Sequence, residues 1–330
     1  MTALKQSLED GRKHHAWIFS GPRGVGKYTA ALWFAEEILG LLHGNGAGSK
    51  HPDIHVIRKE DAVWSQNPSL QRRKQTNIPI DLLRERIIGG KTSDDRVHDS
   101  AAFKTPVVGS QKVFIIDEAE LLDEQGQNAL LKTLEEPPKN TTIVLVTCRE
   151  DLLLPTIKSR CACVSFSYVQ PKEMGLWSEN ADLDVSPDDL AWAIHFSGGS
   201  PGLVCAAIET NLASIARSIS RFLSREDLSN YSHVAQTLTS FIENTVAENL
   251  KQNSSASKEG ANRRALELLL LMFGYSASVL VRSGVKGGVA ASEIIADVER
   301  QIDTHISMKV LVDSLCARWA HLCVGDSVFM

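Results

Sequence analysis

The 330-residue sequence holds six cysteines, yet none forms a C-x-x-C pair and none falls between residues 40 and 112. With no cleavable signal sequence at its start, that pattern predicts a reduced, cytoplasmic protein. A basic excess is missing as well, since 35 Lys and Arg face 40 Asp and Glu, for a formal charge of −5. A free-standing nucleic-acid binder normally carries the opposite balance to attract phosphates, so any DNA contact must be local or shared. The longest apolar stretch, 265–281, is bounded by Arg264 and Arg282 and interrupted by Glu267. It falls short of a bilayer span and reads as a buried helix, with no membrane partner expected.

What is present is ordinary globular composition, 43% hydrophobic and 23% charged, over a length that predicts two or three domains. The first half alternates short β-rich runs with helical patterns, the signature of a parallel sheet with helices on its faces. Residues 16–19 form a strand candidate, after which Ala30, Ala31, Phe34, Ala35, Ile38 and Leu39 recur at helical spacing. Residues 113–116 and 143–146 are continuous apolar runs, as central strands buried on both faces require. Between them, 121–134 reads as a helix stopped by Pro137 and Pro138. From about Gln170 strand signals vanish, and 191–208, 215–223, 234–250, 261–281, 292–302 and 308–324 read as helices. Residues 89–110 form a long polar insertion and 253–260 a polar connector; there is no internal repeat.

Gly21-Pro22-Arg23-Gly24-Val25-Gly26-Lys27 follows the first strand and opens the first helix, the context a phosphate-binding loop needs. Gly21, Gly24 and Gly26 let backbone N–H groups turn toward phosphate oxygens, the helix N-terminus adds positive potential, and Lys27 reaches the terminal phosphates. The next position should carry the Ser or Thr hydroxyl that ligates Mg²⁺, but it is Tyr28. Its phenol oxygen sits too far out for that role, and Thr29, about 100° further round the helix, points elsewhere. Asp117 and Glu118 end an apolar strand, where an acidic pair holds the metal-water shell and orients the attacking water. Alone, such a pair also fits a turn or helix cap.

The loop at residues 21–27, Val-Phe-Ile-Ile-Asp-Glu-Ala-Glu at 113–120, the Asn128–Pro138 segment and Ser159-Arg160-Cys161 together resemble the AAA+ clamp-loader family. His51-Pro52-Asp53, residues 78–81 and residues 154–157 add smaller matches resembling its bacterial delta-prime kind, over about residues 14–205. The resemblance implies an α/β AAA+ phosphate-loop core with a parallel sheet at 1–168, a small helical lid domain at 169–210 and an all-α collar domain for oligomerisation at 211–330. It further implies that Arg160 is an arginine finger acting in trans, in the ATP site of a neighbouring subunit. A planar guanidinium suits the charge developing on a transferred phosphoryl group; an ordinary surface salt bridge is the alternative. Thr147 matches the polar position that orients water in family members, although Thr is also a common β-former.

Several family features are missing. No Lys or Arg follows Gly199-Ser200 before Arg217, so the lid arginine that senses the γ-phosphate is absent. Only thirteen residues precede His14, fewer than relatives use to complete the adenine pocket. ATP with Mg²⁺ is therefore expected to bind weakly, with little or no intrinsic ATPase. The four-cysteine zinc module of relatives has no counterpart, and His43, His51 and His55 show no ligand geometry, so no resident metal is expected. Cys161 and Cys163 should share one side of a short strand and pack as small hydrophobes. Arg72, Arg73 and Lys74 read as a solvated loop rather than a phosphate contact.

The expected role is a delta-prime-like subunit of the DNA polymerase III clamp loader, without polymerase chemistry of its own. Its partners would be tau/gamma motor subunits and delta in a hetero-oligomeric ring, and the sliding clamp and primed DNA through that complex. The alternative is an active AAA+ motor of the tau/gamma kind, against which Tyr28 and the missing sensor count. A small-molecule kinase leaves the Ser-Arg-Cys and Glu-Glu-Pro-Pro segments without a purpose.

Overall fold

The computed structural model describes residues 14–41, 51–72, 76–253, 256–284, 287–302, 304 and 306–322. His43, Arg73, Lys74, Cys323 and the residues ahead of His14 lie outside that set. The chain divides into two compact units, one of Met1–Met174 with Gly199–Gly202 and one of Gly175–Gly198 with Leu203–Met330.

In the first unit the apolar runs become strands. β1 (Ala16–Ser20), β2 (Ile54–Ile57), β5 (Lys112–Ile116), β6 (Thr141–Thr147) and β7 (Ala162–Ser165) form one parallel sheet in the order β2-β5-β6-β1-β7. Every residue of β1, β5 and β6 is buried, which is why these segments read as unbroken hydrophobic runs. Alternation sorts the sheet's side chains onto two faces. On one, Ile18, Phe114, Ile116, Ile143 and Leu145 pack with Leu130 and Leu134; on the other, Phe19, Val113, Ile115 and Val144 pack with Ala31, Phe34 and Ala35. The helices involved are α1 (Lys27–Leu39) and α2 (Glu124–Glu135).

The helix read at 121–134 is two elements. A 3-10 turn at Ala119–Leu121 precedes α2, and Asp123 caps α2 by accepting from the Gly126 N–H at 2.7 Å. The insertion at 89–110 carries a small antiparallel hairpin, β3 (Gly90–Lys91) with β4 (Val97–His98). Short helix α3 (Pro155–Lys158) leads through Arg160 into β7. Cys161 packs against the core, where burial pushes its thiol up to about 12, whereas Cys163 is exposed. β7 is an edge strand, so only part of its length is covered.

Among its described residues the second unit contains helices and no strand. The stretch read as a helix at 191–208 is broken, because Gly198 adopts a left-handed conformation (φ 57°) and closes the helix Pro187–Ser197. Lys258–Arg282 is long and apolar enough to cross a membrane by length and composition. Leu266, Leu269 and Phe273 on it are fully buried within the unit, the packing of a core helix. Trp319 is equally buried; it meets the Phe273 ring edge-on at 4.9 Å and donates from Nε1 to the Phe222 carbonyl at 3.2 Å.

Candidate functional site

Parallel strands place their carboxyl ends at one edge of the sheet, and the loops there are where an open α/β sheet builds its site. β1 runs directly into the glycine loop. Gly21, Gly24 and Gly26 have φ of 145°, 76° and 92°, and a Cβ at Gly21 would lie 2.2 Å from the Phe166 carbonyl oxygen, so glycine is obligatory there. Gly26 opens α1. Lys27 is only 7% exposed; its Nζ donates to the carbonyls of Gly21 at 2.7 Å and Pro22 at 2.6 Å, folding the ammonium back over the loop. Burial lowers its pKa, opposed by Cys148, Glu120 and Asp117. Thr29 is exposed, away from the loop's lysine.

Asp117 and Glu118 follow β5 at the same edge. The Asp117 N–H donates to the Ile57 carbonyl at 3.0 Å, continuing the β2–β5 ladder by one residue. That register puts Arg58 beside Asp117, and its Nε lies 3.4 Å from Asp117 Oδ2. The same guanidinium sits over the Tyr28 ring, with its carbon 4.2 Å from the ring centre. Burial raises the pKa of Asp117 while Arg58 pulls it back. Burial likewise raises Tyr28, again opposed by Arg58. Glu118 takes a left-handed backbone (φ 53°, ψ 49°), a conformation that costs a non-glycine residue roughly 1 kcal/mol. Its carboxylate is met by Lys59 Nζ at 2.6 Å and Arg23 at 3.6 Å.

Thr147, at the end of β6 and level with Ser20, is 1% exposed, and its Oγ1 accepts from the Arg149 N–H at 3.0 Å. Next to it the Cys148 thiol donates to Glu120 Oε1 at 2.7 Å, and burial with that bond pushes the thiol up to about 11. The Gly199–Gly202 segment closes on the loop: Ser200 Oγ donates to the Arg23 carbonyl at 3.1 Å and the Gly202 N–H to the Gly24 carbonyl at 2.8 Å. A Cβ at Gly202 would lie 2.9 Å from Gly24 Cα.

The structure therefore gathers Gly21, Gly24, Gly26, Lys27, Tyr28, Asp117, Glu118 and Thr147, and leaves out Arg160. Arg160 lies ahead of β7, where it pairs with Glu135 at 2.7 Å and donates to the Thr156 carbonyl at 2.9 Å. Arg58, Lys59 and Gly202 belong to the site although nothing in their local sequence marks them. His55 stacks on Phe114 at 4.7 Å and His51 Nδ1 accepts from the Asp53 N–H at 3.2 Å. Among the described residues, no group of three or more His, Cys, Asp or Glu converges as a metal site.

The model of the family described as "DNA polymerase III, delta subunit" matches residues 1–170. The chain is 32% identical over 217 residues to the DNA polymerase III subunit gamma/tau of Mycobacterium tuberculosis, covering 64% of this chain and 35% of that one. It is 30% identical over 198 residues to the delta' subunit of Bacillus subtilis, covering 57% and 52%. The chain thus spans about half the length, or less, of these two relatives. In fold it is similar to a DNA polymerase III gamma subunit-related protein of Thermotoga maritima, with a TM-score of 0.51, 18% identity, and coverage of 96% of this chain and 98% of that one. With the family matched across more than half of its 330 residues, on the part that carries the phosphate loop, the acidic pair and Arg160, the chain belongs to the DNA polymerase III delta-subunit family of AAA+ clamp-loader proteins.

Proposed function

We propose that this chain is a delta-prime-like subunit of the DNA polymerase III clamp loader, a cytoplasmic hetero-oligomeric ring that places the sliding clamp on primed DNA. In this reading it turns over little or no ATP itself and lends Arg160 to the nucleotide site of an adjacent tau/gamma motor subunit, with delta elsewhere in the ring.

One observation carries the reading. β7 runs parallel to β1 with Ala162 beside Trp17, and Arg160, in the turn ahead of β7, pairs with Glu135, whose neighbour Leu134 meets the His15 ring through its carbonyl at 3.0 Å, so Arg160 sits at the His15 end of β1. The phosphate loop begins after Ser20, five residues beyond His15, which at 3.3 Å per residue is about 17 Å away. An arginine side chain does not span that distance. Arg160 cannot serve the loop of its own chain, and its side chain, 35% exposed, is held by the partly exposed Glu135 and the Thr156 carbonyl, contacts that a neighbour's phosphates could replace. Tyr28 and the Arg58 stack beside it further support a site that does not hydrolyse.

The gamma/tau relative favours a second reading, an active motor. Reconstitution with motor subunits separates the two by ATPase stimulated with clamp and primed DNA. Arg160→Ala is expected to lower the rate sharply, since an arginine finger contributes roughly 10³ or more at the site it serves. Lys27→Ala should leave the rate nearly unchanged. The reverse pattern, or ATP turnover by the isolated chain, would establish the motor reading instead.

A further inference from the structure

The position between the first helical residues of a phosphate loop and the strand-end aspartate normally belongs to a divalent metal. Here it is occupied by protein. The Arg58 guanidinium lies against the Tyr28 ring on one side, at 4.2 Å, and Asp117 Oδ2 on the other, at 3.4 Å. It is not a side chain that wandered in from solvent. Strand pairing fixes its backbone next to Asp117, and Asp61 anchors it by accepting from the Arg58 N–H at 2.7 Å while the Asp61 N–H donates to the Arg58 carbonyl at 3.1 Å. The second carboxylate is treated the same way, by Lys59 at 2.6 Å and Arg23 at 3.6 Å. Two acids thus face three cations, and Tyr28 stands where the ligating Ser or Thr hydroxyl would be. A dication entering would have to displace Arg58 from an aromatic face, a contact that strengthens as it is desolvated. The residues present do not fit a magnesium ion.

We infer that Arg58 is a resident cation in the metal position of this site, so that a nucleoside triphosphate taken by the loop is held without magnesium. The inference rests on the reading of residues 21–27 as a phosphate loop, and it deepens the proposed function by giving the physical reason for a non-hydrolysing site. Guanidinium is suited to the role because its charge is permanent and its planar donors match phosphate oxygens.

The experiment is a titration of the full chain with a fluorescent ATP analogue, in magnesium and in EDTA, for wild type, Arg58→Lys, and the double variant Tyr28→Thr/Arg58→Ala. Wild type should bind measurably and equally in both buffers, and Arg58→Lys should behave likewise because the charge remains. The double variant, verified as folded by its thermal melt, should bind at least about tenfold more tightly with magnesium. Magnesium dependence of that size in wild type or in Arg58→Lys, its absence in the folded double variant, or no measurable binding by wild type in either buffer overturns the inference. Magnesium-dependent binding without turnover would leave the proposed function standing, whereas an Arg160→Ala loader with full activity would sink that function and leave Arg58 untouched.

Discussion

Asp53 offers the sharpest test of how the strand bearing the acidic pair is held. Its side chain is 1% exposed, and its carboxylate accepts from three consecutive backbone N–H groups: Val107 on Oδ1, then Val108 at 2.9 Å and Gly109 at 2.8 Å on Oδ2. Its own carbonyl accepts from Val113 at 2.8 Å, the first bond of the β2–β5 ladder. Asp53→Asn keeps shape but removes the charge and turns an N–H₂ toward at least one of those donors. A charge-assisted bond contributes about 1.5–3 kcal/mol, and a buried donor left without an acceptor costs about 1–3 kcal/mol, so the expected loss at neutral pH is about 3 kcal/mol. For a unit of this size that corresponds to a fall of roughly 6–12 °C in melting temperature. The pH dependence has a definite sign. Burial alone would raise this carboxyl, but the N–H donors of Gly109, Val107 and Val108 overcome it and hold the pKa below its ordinary value of 3.8. A depressed folded pKa contributes stability that is complete above the unfolded value, near 3.9, and is lost as pH falls through the lower folded value. Denaturant melts of wild type and Asp53→Asn should therefore differ most at pH 5–7 and converge in acid below about pH 4. A gap under about 0.5 kcal/mol at neutral pH, or one that holds constant into acid, would refute the assignment of the cradle to an ionised Asp53.

Two further outcomes follow from close packing. Gly202→Ala places a methyl 2.9 Å from Gly24 Cα and 3.0 Å from its carbonyl oxygen, both backbone atoms that cannot swing away, so thermal melts should show a loss of about 1–3 kcal/mol; an unchanged melt would mean that the segment does not close on the loop. Trp319→Ala should cost the helical unit about 3–5 kcal/mol in denaturant unfolding, with Trp319→Phe losing less because one aromatic ring remains while part of the indole volume and the bond to Phe222 go; equal losses would show that the retained ring contributes nothing to the packing.

The sheet was legible in the sequence because central parallel strands are buried on both faces, and 113–116 and 143–146 advertise that as unbroken apolar runs. The glycine loop was legible because a left-handed backbone restricts residue choice to glycine at fixed offsets. Where several forces competed, local pattern misled. The periodicity of 191–208 ran across Gly198 and Gly199, and the left-handed turn there prevailed over it. The apolar spacing from 121 hid a cap at Asp123. The polar look of 89–110 concealed that its far end is tied down by Asp53. Arg58 and Lys59 were not legible at all. They reach the acidic pair through the register of two strands more than fifty residues apart, which no local spacing encodes.

That register also explains why the acidic pair can persist beside Tyr28. Asp117 and Glu118 sit where a magnesium ion would ordinarily balance them, and two uncompensated carboxylates in a partly buried place are costly. Burial already raises the pKa of Asp117, a sign that the ionised form is under strain even with Arg58 at 3.4 Å. Arg58 and Lys59, adjacent in sequence and delivered together by β2, face Asp117 and Glu118, adjacent in sequence and delivered together by β5. Charge balance is thus built into strand pairing and needs no ligand. The opposite edge of the sheet asks for much less. In the proposed function Arg160 requires only that α3 and β7 be folded and that Glu135 and the Thr156 carbonyl release it. The proposed function therefore separates the chemistry of the chain's own loop from what it would lend to a neighbour, because the two depend on different ends of the same five strands.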